Sequence, residues 1–123
     1  MAKILFGQLE QAIMDILWDR APRTVREVLG RLPASRRVAY TTVMTVMNRL
    51  VAQRILRRTA GANGAYTYTA VQTKAATAAA ATQASIDQLV RQYGDAALVH
   101  FLAALDEIPA DKLAKLKKLH RQP

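Results

Sequence analysis

The sequence contains no cysteine, which excludes disulfide bonds, thiolate metal sites and thiol nucleophiles. Its two histidines, His100 and His120, are too few and too far apart for a metal cage, so we expect no metal and no other cofactor. No apolar run approaches the roughly 18 residues that cross a membrane. The N-terminus has only three consecutive apolar residues, too few for the core of a signal peptide. These absences predict a soluble, cytoplasmic protein.

Catalytic patterns are also missing from the sequence. Neither histidine has a serine and a carboxylate in an interpretable arrangement. Gly61 and Gly64 are not followed by a predicted helix, so there is no phosphate-binding glycine loop. Four carboxylates fall mostly on the solvent faces of predicted helices: Glu10, Asp15, Asp19 and Glu27. The sequence therefore predicts a protein that is not an enzyme.

Basic residues are concentrated in the front part of the chain. Residues 1–71 carry 11 basic and 4 acidic side chains, a net charge of +7, whereas residues 72–123 carry 7 and 5, a net charge of +2. This asymmetry favours a polyanionic partner, most often nucleic acid and next an anionic membrane surface. A basic surface without such a partner is the alternative.

Three helices are predicted within the basic part from the spacing of apolar residues. The first runs over Gln8–Asp19, and the second is capped by Thr24 and ended by Pro33. The third occupies VAYTTVMTVMNRLVAQRIL, residues 38–56. Its apolar side chains recur at helical spacing and are expected to face the core: Val43, Val46, Met47 and Leu50.

A β-hairpin is predicted after the third helix, because residues 55–59 and 65–69 are rich in strand formers and flank the turn sequence AGANG. Three helices and a hairpin make a winged helix, in which the helix before the hairpin usually enters the major groove of DNA. We therefore expect a mostly α fold with a small hairpin, and a winged helix-turn-helix DNA-binding domain over residues 1–71. Many winged helices bind protein or RNA instead, so a basic interaction module of that kind is the alternative function.

The composition changes from residue 72 to alanine, threonine and glutamine, which predicts a separate helical domain over residues 72–123. Gly94 is placed to end its first helix, Asp95 to cap the second and Pro109 to start the third. The short tail is too small for a stable core of its own, so we expect it to pair with a second copy; packing on the front domain is the alternative. The expected dimerisation residues are Ile86, Leu89, Val90, Leu98, Phe101, Leu102 and Leu105.

The outer face of the third helix carries polar residues, several of them poor helix formers: Thr41, Thr42, Thr45, Asn48 and Arg49. Threonine hydroxyls can reach phosphates or base edges, and an arginine can hold a guanine or a phosphate. For the threonines the alternative is a solvated helix face with an N-cap, and for Arg49 it is a surface ion pair. Because Arg57 and Arg58 alternate faces of a strand, at most one of them is expected to meet phosphate. The expected flanking contacts are Arg36, Arg37, Tyr40, Arg57 and Tyr66, whereas Tyr68 is expected to pack under the hairpin.

Four segments, LEQAIMDILW, TVREVLGRL, AYTTVMTVMNRLVAQRIL and GAYTYTA, together resemble the penicillinase-repressor family of the BlaI/MecI/CopY type, in order over residues 7–105. The resemblance implies a homodimeric winged-helix repressor that binds double-stranded inverted-repeat operators in front of β-lactamase or related stress genes. It also implies that the recognition helix reads DNA through Thr41, Thr42, Thr45 and Arg49. A ligand-sensing regulator would need an apolar cavity between the dimer helices, and no small-molecule ligand is indicated by the sequence.

The chain departs from the family pattern at two places. Family wings often carry an arginine where this chain has Asn63, Gly64 and Ala65, and the cysteine-rich tail of the copper-responsive members is missing. Inducible members are inactivated when a membrane sensor-linked metallopeptidase cuts the dimer helices. The segment LVHF resembles that cleavage site, with a histidine in place of asparagine, so the resemblance implies a cut between His100 and Phe101.

Overall fold

The computed structural model describes residues 5–121. Its order of elements confirms a mostly helical fold with a small hairpin. The elements are α1 (Gln8–Asp19), α2 (Val25–Arg31), a 3-10 turn (Ala34–Arg36), α3 (Tyr40–Ala52), β1 (Leu56–Ala60), β2 (Tyr66–Ala70), α4 (Lys74–Tyr93), α5 (Asp95–Asp106) and α6 (Ala110–Arg121). None of the helices within residues 5–121 is long and apolar enough to cross a membrane.

The chain divides into two compact units, and the division falls between residues 82 and 83, inside α4. The part before this point is called the front unit below, and the part after it is called the hind unit. The domain boundary after residue 71, which follows the change in composition, stays a prediction.

Helices α1 and α2 begin where the sequence predicts. The carboxylate of Glu10 accepts a hydrogen bond from the backbone N–H of Gly7 at 2.8 Å, at the start of α1. Thr24 and Glu27 form a reciprocal capping box at the start of α2: Thr24 Oγ1 accepts from Glu27 N at 3.1 Å, and Glu27 Oε1 accepts from Thr24 N at 3.0 Å. Hydrogen bonds from Thr24 to the Glu27 carboxylate, the one from its backbone N–H first and one from its side chain second, lower the pKa of Glu27 from its ordinary value.

Helix α3 is shorter than the predicted range of residues 38–56. Arg54 adopts a left-handed backbone conformation, with φ of 64°. Its N–H donates to the carbonyl of Val51 at 2.9 Å, and the N–H of Ile55 donates to the carbonyl of Leu50 at 2.9 Å. This pair of bonds is a Schellman motif, which ends the helix and turns the chain into the hairpin.

Both strands of the hairpin begin one residue later than predicted. The N–H of Ile55 is used in closing α3, and the carbonyl of Ala65 accepts from the N–H of Gly61 at 2.7 Å in closing the turn. A Cβ at Gly61 would lie 2.6 Å from that carbonyl oxygen, so the turn requires glycine there. The hairpin also gains a third, single-residue pairing that the sequence did not predict: Arg23 and Tyr68 exchange backbone hydrogen bonds at 3.2 and 2.8 Å.

One apolar core holds the front unit together. It joins α1, α2 and α3 with the first residue of β1 and the middle of β2, and each large apolar side chain removed from water contributes roughly 1.5–3 kcal/mol. Tyr68 is only 2% exposed, which confirms its expected place under the hairpin. The buried residues are Ile13, Met14, Leu17, Val25, Val28, Leu32, Val43, Met47, Leu50, Leu56 and Tyr68.

The hind unit has almost no core of its own. Among its described residues, 83–121, only Ala97 is buried. Gly94, with φ of 61°, separates α4 from α5 as predicted, but the prediction that Asp95 caps α5 is wrong. Gly94 is the single residue between the two helices and occupies the N-cap position itself, so Asp95 is already the first residue of α5. Helix α6 begins after Pro109, as expected.

Candidate nucleic-acid interface

The outer face of α3 is exposed because the opposite face is fixed in the core. Val43, Met47 and Leu50 are fully buried. Four of the five predicted contact residues point away from them and are exposed: Thr41, Thr42, Thr45 and Arg49. None of these four side chains makes a hydrogen bond or ion pair within residues 5–121. The face therefore offers three hydroxyls and one guanidinium to an external partner.

Asn48, the fifth predicted contact residue on α3, is half-buried and already bonded. Its side-chain oxygen Oδ1 accepts two hydrogen bonds, from Arg58 Nη1 at 3.1 Å and from the hydroxyl of Tyr68 at 2.9 Å. The amide thus connects the middle of α3 to both strands of the hairpin.

The register of the hairpin separates Arg57 from Arg58. Arg58 is paired with Tyr68, so it lies on the face of β1 that is turned towards α3, and Arg57 lies on the other face. The guanidinium carbon of Arg58 is 4.2 Å from the centre of the ring of Tyr66, a residue whose side chain is 46% exposed. Arg58, rather than Arg57, is therefore brought beside the outer face of α3.

A second arginine and tyrosine pair lies at the other end of α3. The guanidinium carbon of Arg26, on α2, is 5.3 Å from the centre of the Tyr40 ring, at the first residue of α3. A cation held over an aromatic face is stabilised by the ring, and its outward N–H groups remain available for an anion.

These two pairs line one open cleft of about 520 Å³ between α2, α3 and the hairpin. It is called the basic cleft below, because Arg26 and Arg58 are the charged residues in its lining and no carboxylate is among them. Its lining residues are Thr24, Val25, Arg26, Tyr40, Met44, Asn48, Arg58, Gly64, Ala65, Tyr66 and Tyr68. Such a surface attracts anions.

The predicted contacts Arg36 and Arg37 lie before α3, in and just after the 3-10 turn. Arg37 Nη2 donates to the carbonyl of Leu32 at 3.2 Å, just beyond the end of α2. Arg36 Nη1 donates to the carbonyl of Ser35 at 3.4 Å. Both guanidinium groups thus organise the connection, and each keeps further N–H donors for a phosphate.

The predicted dimerisation residues lie on α4 and α5. Leu89 (39%), Leu98 (44%), Leu102 (62%) and Leu105 (46%) are exposed, whereas Ile86, Val90 and Phe101 are half-buried. A shallow apolar cleft of about 340 Å³ is lined by Leu89, Tyr93, Ala96, Ala97, His100 and Phe101. The residues of the predicted cleavage site, His100 and Phe101, lie in the interior of α5.

Sequence reasoning did not select Arg26 and Arg58 as members of the interface. The signal for Arg58 was present, because strand alternation places it on the face of Tyr66 and Tyr68. Arg26 had no comparable signal, since its approach to Tyr40 depends on how α2 and α3 pack.

Three helices followed by a hairpin, with a basic cleft beside the exposed face of the third helix, define a winged-helix protein. The chain belongs to the penicillinase repressor family, whose sequence profile matches residues 6–122. This family consists of repressors, which confirms both the resemblance and the expectation that the chain is not an enzyme.

The matching relatives include the transcriptional regulator BlaI from two strains of Mycobacterium tuberculosis, CDC 1551 / Oshkosh and H37Rv. Each is 52% identical over 58 residues, which cover 46% of this chain and 42% of the relative. The match therefore spans less than half the length of these curated relatives.

Solved structures with a similar fold include two bacterial proteins. A single-residue mutant of ZitR from Lactococcus lactis has a TM-score of 0.50 at 9% identity, covering 97% of this chain and 73% of that one. The adhesin competence repressor AdcR from Streptococcus pyogenes also has a TM-score of 0.50, at 14% identity, covering 94% of this chain and 76% of that one. At these identities the similarity shows the fold alone.

Proposed function

We propose that this protein is a transcriptional repressor that binds an inverted-repeat DNA operator as a homodimer and thereby blocks a promoter in the cytoplasm. One observation carries the proposal: the outer face of α3 presents Thr41, Thr42, Thr45 and Arg49 without partners within residues 5–121, directly beside the basic cleft. A helix with a free polar face and basic flanks suits the major groove of DNA.

The contacts divide into two kinds. Thr45 and Arg49 on α3 read base edges, because they lie on the face opposite the buried Val43 and Leu50. The flanking groups hold phosphates and set the register of α3 without reading sequence. These flanking groups are Arg36, Arg37, Tyr40 and Tyr66, together with Arg26 and Arg58, each of which is held over one of the two tyrosine rings. Arg58 replaces the predicted Arg57, which lies on the other face of β1.

The hind unit joins two copies of the chain. It buries only Ala97 among residues 83–121, while four leucines of α4 and α5 remain at least 39% exposed. Burial of those leucines against a second copy stabilises the hind units of both copies. Because the two front units are linked, binding of one half-site raises the effective concentration of the second front unit at the other half-site. The affinity for the whole inverted repeat therefore exceeds that for a single half-site.

The target genes are those for β-lactam resistance or a related stress response, in keeping with the family. Cleavage between His100 and Phe101 by a membrane sensor-linked metallopeptidase would release the repressor from DNA, because it removes Leu102 and Leu105 from the dimer. A peptidase requires an extended chain, so the middle of α5 must first unwind, and the small core of the hind unit favours such local opening. An intact chain after co-expression with a membrane sensor-linked metallopeptidase of this kind would remove this part of the proposal.

A gel-shift titration at several salt concentrations tests the proposed function. The protein is mixed with an inverted-repeat promoter fragment, with one half-site and with random DNA of the same length. We expect the protein to bind the intact repeat at least about a thousandfold more tightly than random DNA, and to bind the half-site weakly. Equal affinity for all three fragments would contradict the proposal and favour a basic module for protein or RNA.

A matched pair of variants sharpens this test. Arg49→Ala removes one positive charge from the outer face of α3, and Arg91→Ala removes one from the exposed surface of α4. The first should lower the ratio of specific to random affinity, whereas the second should leave that ratio unchanged. Equal ratios for the two variants would exclude Arg49 from reading bases.

A further inference from the structure

The side-chain amide of Asn48 is held in one orientation by two hydrogen-bond donors. Arg58 Nη1 lies 3.1 Å from Oδ1, and the hydroxyl of Tyr68 lies 2.9 Å from the same atom. A guanidinium has no acceptor, so the amide atom that faces it must be the oxygen and not the nitrogen. The Nδ2 group of Asn48 therefore points away from both partners.

Both partners are themselves fixed. Tyr68 is 2% exposed, and its backbone is bonded on the far side to Arg23. Arg58 is stacked over the ring of Tyr66 at 4.2 Å. A rotation of the Asn48 amide by half a turn would set an N–H₂ group against a guanidinium and would break both hydrogen bonds. The orientation is thus built into the front unit before any ligand binds.

The Nδ2 group is left for an external acceptor. No acceptor for it lies within residues 5–121, and Asn48 lines the basic cleft on the side of α3. Asn48 Nδ2 is not among the buried side-chain atoms that lack a hydrogen-bond partner. Two N–H protons are therefore offered beside the predicted reading face, and no acceptor is offered with them.

This arrangement changes what an asparagine can read. Asparagine usually recognises adenine with two bonds, one accepted by Oδ1 from N6–H and one donated by Nδ2 to N7. Here the two lone pairs of Oδ1 are already used by Arg58 and Tyr68. Guanine presents two acceptors in the major groove, O6 and N7, which match a group that only donates, whereas cytosine presents a donor.

We propose that Asn48 reads the operator as a hydrogen-bond donor only, that it selects guanine over adenine at the base it meets, and that Arg58 and Tyr68 are the positioning residues that impose this choice. The inference rests on the proposed function, since it requires that α3 lies in the major groove of a specific site.

The first variant, Asn48→Asp, replaces only the outward N–H₂ group of the side chain. Asn48→Asp preserves the shape of the side chain and the oxygen that accepts from Arg58 and Tyr68, but it turns the outward N–H₂ into an oxygen. Asn63→Asp is the matched control, because it makes the same change of charge at an exposed turn residue of the hairpin. Thermal unfolding of both variants tests whether the fold is kept.

The readout is the ratio of operator to random-DNA affinity. An added negative charge weakens binding to both DNAs, so it leaves the ratio nearly unchanged, as we expect for Asn63→Asp. Loss of a base contact lowers the ratio, and for Asn48→Asp we expect a fall of about ten- to a hundredfold. Equal ratios for the two variants, including the case in which Asn48 meets only a phosphate, would overturn the inference.

A base-substitution series identifies the position that Asn48 reads and tests the role of its partners. The position is the one whose preference disappears in Asn48→Ala, and in the wild type we expect guanine there. The double variant Arg58→Met with Tyr68→Phe frees the amide to rotate, so adenine should become at least as acceptable as guanine. A wild-type preference for adenine, or an unchanged preference in the double variant, would overturn the inference.

The two proposals fail in different ways. A wild-type protein without any specific site would defeat the proposed function and this inference together. A wild-type protein that binds its operator specifically, with Asn48→Asp behaving as Asn63→Asp does, would defeat the inference alone.

Discussion

The guanidinium carbon of Arg26 lies 5.3 Å from the centre of the Tyr40 ring, so a charged group of α2 is held against the first residue of α3. Arg58 is held over Tyr66 in the same way, and both guanidinium groups line the basic cleft. Their side chains are ordered by the protein before a phosphate arrives, which reduces the conformational entropy that binding must remove.

Replacement of Arg26 by alanine should weaken binding to every DNA sequence alike. One phosphate contact contributes about 0.9 to the slope of log affinity against log salt concentration, and a homodimer carries two copies of Arg26, so the slope should fall by about 1.8. Filter binding at several salt concentrations measures it, with Arg91→Ala as the control. A loss confined to the operator would show that Arg26 contacts a base instead.

Thr45→Ala and Arg49→Ala should relax the operator preference more than Arg36→Ala does. The first two remove groups from the exposed face of α3, and each should lower discrimination by about 1–3 kcal/mol at the base concerned. Arg36→Ala should mainly lower affinity and the salt slope. Competition binding with single-base operator variants measures the difference, and equal losses on all sequences would count against this assignment.

A charged residue at position 102 should separate the dimer. Leu102 is 62% exposed in the single chain, so Leu102→Glu disturbs no core within the described part of the hind unit. In a dimer interface, however, it would bury an unpaired charge. Sedimentation should give a monomer with lower operator affinity, whereas Gln88→Glu, at an exposed position of α4, should remain dimeric. An intact Leu102→Glu dimer would exclude this residue from the interface.

Much of the fold could be predicted because the local signals agree with the tertiary structure. The bounds of α1 and the Thr24 cap follow from apolar spacing and capping chemistry. The end of α3 could not be predicted, since a left-handed arginine at position 54 carries no sequence signal of the kind that glycine gives. The start of β1 depends on that end, and the start of β2 depends on the turn that Gly61 and Ala65 close, so both strands begin one residue later than predicted.

The candidate site was predicted in part for the same reason. Helical spacing identifies the exposed threonines and Arg49, since it depends only on which face is apolar. The bonds from Arg58 and Tyr68 to Asn48 join residues 10 and 20 positions apart, so they depend on strand register and on packing. The single pairing of Arg23 with Tyr68 depends on tertiary structure in the same way.

Arg54→Gly should raise the free energy of unfolding by about 1 kcal/mol, because glycine adopts the left-handed conformation without a steric penalty. Arg54→Ala loses the same charge but keeps the penalty, so it serves as the control. Urea unfolding of both variants measures the change. If the two variants were equally stable, the backbone at this position would not be strained.

The capping box of α2 should contribute to stability in a pH-dependent way. The hydrogen bonds from Thr24 lower the pKa of Glu27 below its ordinary value of 4.5, so the unfolded chain takes up the proton more readily than the folded one. This contribution is present above pH 4.5 and is lost as the pH falls through the lowered pKa.

Two variants separate the parts of this box in urea unfolding at neutral pH and below the ordinary pKa of a glutamate. Thr24→Ala should lower the free energy of unfolding by about 1 kcal/mol at neutral pH. Glu27→Gln should show a smaller loss of stability on acidification than the wild type. A wild type and a Glu27→Gln variant with identical pH profiles would exclude a role for this carboxylate.

The most direct test of DNA reading by α3 is a crystal structure of the protein on its operator. We expect α3 in the major groove, with Thr45 and Arg49 within hydrogen-bond distance of base edges and two copies joined through their hind units. A complex in which the outer face of α3 is turned to solvent, or in which a single chain covers the site, would contradict the proposed function.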